Sequence, residues 1–182
     1  MAVMADTKLV ARLTMQARRF RNQQFKRIHN FRAKPHTKQQ KETTKTNCWD
    51  LPIVVVTCAS RKFPKIIGNG RNCSRLRNPA PVVRNAYASI IDKSGNPMKG
   101  VSIPLGTAPS SQLKNLFGYS TQTGNEAGRC AEPHAAHNLS GNLSPKHSVN
   151  LSDIVFSLAI EVSTSAVKPY CATCKIAFPQ LR

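Results

Sequence analysis

The sequence predicts an α/β fold in which helices are layered on a sheet, preceded by a basic N-terminal helix. Three observations carry this. LPIVVVTC (51–58) and DIVFSLAIEV (153–162) are apolar on nearly every position and rich in β-branched residues, as buried strands are. Two other stretches, CAEPHAAHNL (130–139) and YCATCKIAF (170–178), read as helix starts. Pro133 lies within the first and Pro169 just before the second, and a first helical turn tolerates proline because its missing N–H would have no partner. The order hairpin, helix, buried strand, helix is that of a layered α/β domain. A chain of 182 residues holds one such domain, placed at 47–182, and a basic helix and linker at 1–46.

Taken in order, residues 7–32 carry Val10, Leu13, Ala17, Phe20, Gln24, Ile28 and Phe31 at spacings of three and four, with Arg and Lys between them. That is the stripe of an amphipathic helix, broken only by Gln24. Residues 33–47 are polar and without period, a linker. After the strand at 51–58, residues 60–85 mix Gly68, Gly70, Pro79 and Pro81 with seven Arg and Lys. This predicts a basic irregular stretch, a candidate nucleic-acid contact loop. AYASII (86–91), DKSGNP and KGVSIPL (99–105) predict a β-hairpin, and residues 106–127 a loop. Then come the helix from 130, a polar loop, the strand at 153–162, the connection STSAVKP and the second helix.

Charge divides the chain. Residues 1–100 hold 21 basic and four acidic side chains, and residues 101–182 hold six and four. A cationic half predicts a polyanionic partner, because Lys and Arg placed on phosphates release condensed counterions. A solvated basic tail is the competing reading for 1–46. The longest apolar run, PIVVVTCA, is far shorter than the ~20 residues of a spanning helix, so no membrane segment is expected. The N-terminus lacks a secretory signal core and is Arg-rich and acid-poor, a weak likeness to a transit peptide. Action in a cytoplasm is the expectation.

Six cysteines occur: Cys48, Cys58, Cys73, Cys130, Cys171 and Cys174. Without a secretory signal or high cysteine density, metal or redox chemistry is a better use of the Cys171-x-x-Cys174 pair than a disulfide framework. At spacing i, i+3 both sulfurs face one side of a first helical turn. Helix N-termini also favour thiolates. Catalytic zinc takes three protein ligands and a water, and Cys130, at the other helix start, is the third candidate. Glu132, two residues on, is placed to move protons beside the ion without ligating it.

This constellation, Cys130-Ala131-Glu132-Pro133 followed by Pro169-Tyr170-Cys171-Ala172-Thr173-Cys174, resembles the zinc-dependent deaminases of nucleobases. It most resembles the YwqJ-like deaminases of bacterial polymorphic toxins, which use cysteine in the first motif. The resemblance covers roughly residues 86–178. It implies a cytidine-deaminase-like three-layer α/β/α sandwich with a mixed central sheet. It also implies one Zn²⁺ held by Cys130, Cys171 and Cys174, with Glu132 as catalytic proton shuttle. Cytosine-to-uracil conversion in DNA is expected ahead of RNA or adenine, and an immunity protein as partner if the chain is a toxin. Tyr170 makes the second motif one residue longer than the common form, and only eight residues follow Cys174. The strand at 51–58 completing the sheet and a minimal domain are both open at this point.

His134, Tyr170 and Asn85 are candidates for substrate contact. His134 and His137 also read as ordinary helix histidines, and the remaining cysteines as small core residues. Trp49 and Phe63 could stack on bases, with core packing the stronger reading; Asn72 and Asn125 join Asn85 as amides able to read a base edge. The principal alternative is a basic, zinc-stabilised nucleic-acid-binding module without turnover. It requires a fourth protein ligand, from Cys48, Cys58, Cys73, His134 or His137. A thiol oxidoreductase is the third reading, and lacks the βαβ context of that motif.

Overall fold

Along Val54–Ser60 the side chains alternate between two cores. Val56 and Cys58 enter one, and Val55 and Ala59 enter the other, as the two-residue period of a strand dictates. Helices cover both faces. This computed structural model describes residues 2–35, 37, 39, 53–72, 76, 79–88 and 128–181. Within them the elements are α1 (Ala2–Arg32), β1 (Val54–Ser60), β2 (Ile67–Arg71), α2 (Pro81–Ala88), α3 (Ala131–Asn142), β3 (Ile154–Phe156), β4 (Ala159–Glu161), β5 (Val167–Lys168) and α4 (Ala172–Ala177).

The expected amphipathic stripe is the one α1 buries. Leu13 and Ala17 are fully enclosed against Val55, Ala59, Val155, Ile160 and Val162, and Val10, Phe20 and Ile28 pack beside them. Gln24, the break in the stripe, is buried too, and its Oε1 accepts a hydrogen bond from Arg71 (3.4 Å). Polar ties hold the helix along its length: Arg61 forks onto Asp6 (2.7 and 2.8 Å), and Thr14 Oγ1 accepts from the Leu158 N–H.

The strand at 51–58 does complete the sheet, as its centre. β1 pairs with β2 on one side and with β3 and β4 on the other, and β5 lies outside β4. Every pairing among the described residues is antiparallel, so the mixed sheet of the sequence-based expectation is replaced by an antiparallel one. The single strand expected at 153–162 is interrupted. Cys58 faces Phe156 while Val55 faces Ile160, so two residues of β1 oppose three of the partner. This one-residue bulge centres on Ser157, whose Oγ takes the Thr57 N–H (2.9 Å) in place of a ladder carbonyl.

Residues 60–85 are not irregular. They form β2 and begin α2, and Ala86–Ala88, expected in a hairpin strand, end α2. Pro81 opens that helix at a position where proline is well suited, and Val83, Ala86 and Tyr87 recur at helical spacing on its buried side. The rest of the predicted hairpin and the loop at 106–127 lie outside the described residues.

Candidate metal centre

Two helix starts and one strand pair build the site. Gly68 and Gly70, two apart on β2, face α3. A Cβ on Gly70 would stand 2.1 Å from the Ala131 carbonyl oxygen, and one on Gly68 2.1 Å from that of Ala135. Only bare backbone lets the helix settle this close. The small inner face of α3, Ala131, Ala135 and Ala136, completes the approach, and Asn138 and Asn142 donate to the Asn69 and Ile67 carbonyls of β2 (2.7 and 2.9 Å). The start of α3 is thereby fixed on the sheet, and with it Cys130 and Glu132.

Cys130 is the N-cap of α3 and Cys171 the N-cap of α4. Cys171 Sγ accepts the Cys174 N–H (3.3 Å), so it caps its own helix. The sulfurs of Cys130, Cys171 and Cys174 lie within 4.8 Å of one another, with Cys130 and Cys171 3.5 Å apart. Tetrahedral zinc with Zn–S of ~2.3 Å spaces sulfurs ~3.8 Å apart, so the three fit such an ion after small adjustments. Hydrogen bonding among the thiols and burial push the Cys130 and Cys174 protons on more firmly than in a free cysteine. A dication opposes that, and thiolate at a helix start is otherwise favoured.

Glu132 is 5 % exposed. Its Oε2 accepts from Cys174 Sγ at 3.4 Å, and burial pushes its carboxyl up to about 7. No family model matches this sequence, and neither a curated protein nor a solved structure matches it. The site therefore stands on its own geometry.

Of the other candidates, Tyr170 is half-buried and donates its hydroxyl to the Ser157 carbonyl at the bulge. The residue that lengthens the second motif thus ties the segment before Cys171 to the sheet. Tyr170→Phe should leave that buried carbonyl unpaired and lower stability by about 1 kcal/mol. Urea titration checks this, and chelator competition should show weaker zinc binding in the same variant. His134 is half-buried on α3, and Asn85 lies on the exposed side of α2. His137 Nδ1 accepts the Ala80 N–H (3.1 Å), Cys58 is buried in the core, and Asn72 Oδ1 accepts the Val54 N–H. Phe63 packs on His147, ring centroids 4.4 Å apart. Cys48, Trp49, Cys73 and Asn125 lie outside the described residues. Among the described residues, the side chains grouped to hold an ion are the three cysteines.

Sequence reasoning missed Tyr87, which is fully buried beside the cluster. The signal was present: Val83, Ala86 and Tyr87 after Pro81 have helical, not strand, spacing. It also missed the two glycines, whose i, i+2 spacing marks one face of a strand.

Proposed function

We propose that this protein is a zinc-dependent deaminase of a nucleobase in a polynucleotide, with cytosine in DNA as the preferred substrate and a toxin-type role. The observation that carries this reading is the juxtaposition of a buried carboxylate, Glu132, with three converging sulfurs from two helix starts. Further support comes from a sheet covered by helices on both faces, with β3 and β4 lying in sequence between the two cysteine-bearing helices. It agrees with the YwqJ-like resemblance, and the cytosine preference rests on that resemblance alone.

Cys130, Cys171 and Cys174 would hold the ion, leaving one of its four positions for water. When bound, zinc makes that water acidic enough to lose a proton near neutral pH. Glu132 takes the proton and delivers it to the ring nitrogen as the water oxygen bonds to the carbon bearing the amino group. It then protonates the amine as the carbon–nitrogen bond breaks, and the products are uracil and ammonia. Arg129 and Lys175, each next to a cluster cysteine in sequence, are exposed and suited to flanking phosphates.

The test is incubation of zinc-loaded protein with single- and double-stranded DNA and RNA, read by sequencing for C-to-U and A-to-I changes. Glu132→Gln should keep zinc and lose roughly 100- to 10,000-fold in turnover. Zinc-loaded wild type that binds these polymers but changes no base would establish the binding module in place of the enzyme.

A further inference from the structure

The hydroxyl of Tyr87 is fully buried and, among the described residues, has no hydrogen-bond partner. An unpaired buried hydroxyl costs about 1–3 kcal/mol, so its retention needs a reason. Its surroundings supply one. The ring is held edge-on to Phe178, centroids 6.1 Å apart, within the core that also contains Ala131 and Cys174. Burial first, and then negative charge on Cys174, Cys130, Cys171 and Glu132 in that order, keep the phenol protonated. The hydroxyl therefore sits within the field of all three sulfurs, and Cys174 is its strongest charged neighbour.

The hydrogen bonding of Cys174 changes with its charge. As a thiol it donates to Glu132 Oε2. As a thiolate it can only accept, and it repels the carboxylate. We propose that Tyr87 is a positioning residue of the metal centre: once an ion turns Cys174 into a thiolate, the Tyr87 hydroxyl donates to Cys174 Sγ. This rests on the metal-centre reading of the three cysteines. It also addresses a difficulty of that ligand set. Three thiolates leave a zinc centre with net charge of about −1, which opposes the acidification of a bound water. A hydrogen bond withdraws electron density from one sulfur, and it frees Glu132 to face the water.

The test uses Tyr87→Phe, which keeps the ring and its contact with Phe178. One zinc per chain should still bind at saturation, about 10- to 100-fold more weakly in chelator competition. The metal-free variant should unfold at the wild-type urea midpoint or higher, because only an unpaired hydroxyl is lost. In cobalt-loaded protein the thiolate-to-metal absorption band should move to longer wavelength. Unchanged zinc affinity with an unmoved cobalt band overturns the role of Tyr87 while leaving the metal centre intact. A matching loss of stability in the metal-free variant also overturns it, by making the effect one of packing. Failure of wild-type protein to bind zinc or cobalt removes both readings together.

Discussion

Cys174→Ser is expected to release the zinc and most of the stability that zinc confers. Cys174 is fully buried, it anchors the first turn of α4, and its sulfur lies within reach of both other cluster sulfurs. An ion that binds only the folded chain stabilises it by about 4 kcal/mol at a concentration a thousand times Kd. For a chain of this size that corresponds to roughly 10 °C in melting temperature. The variant should lose this increment, and excess zinc should fail to restore it. Chelation of the wild type should give the same drop, reversed by adding zinc back. Three thiols shed protons to ligate, so zinc affinity should rise with pH. Cys48→Ser and Cys73→Ser should each retain one zinc per chain by elemental analysis. Loss of zinc from either would identify a fourth protein ligand and favour a structural site.

Gly70→Ala should be the most damaging single methyl in the protein. The new Cβ would meet the Ala131 oxygen at 2.1 Å and the Ala135 nitrogen at 2.3 Å, both backbone atoms of α3. No rotamer relieves a clash with backbone, so the helix must lift from the sheet. Overpacking of this kind costs about 1–3 kcal/mol or more. The part displaced is the turn that carries Cys130 and Glu132, so zinc affinity and turnover should fall with stability. Gly141, with open space where a Cβ would sit, is the control: Ala there should leave zinc binding unchanged. Equal affinity in Gly70→Ala and wild type would show that α3 tolerates the shift and that the site does not depend on it.

The elements written most clearly in the sequence were those with a strong period or an uninterrupted apolar run. α1 follows its stripe from Leu13 and Ala17 to Ile28, and β1 emerges from PIVVVTCA. The convergence of Cys130 with Cys171 and Cys174 was legible because each cysteine stands at a helix start marked by a nearby proline. What escaped depends on contacts between distant segments. Gly68 and Gly70 look like loop residues until α3 lies on them. Ser157 looks like one more strand position until the register of β1 forces a bulge. Tyr87 carries a β-favouring side chain, but Pro81 and the spacing of its apolar neighbours prevail.

One feature of the layering bears on how a long substrate is engaged. Lys8, Arg18, Arg19, Lys26 and Arg27 are exposed on α1, whose buried side contacts the sheet surface turned away from the three sulfurs. Capture and chemistry are therefore assigned to opposite sides of one slab. A polymer gripped by that cationic helix must wrap around a rim of the sheet before one of its bases can meet Glu132. An oligonucleotide too short to make that detour is processed without help from the helix, whatever the salt.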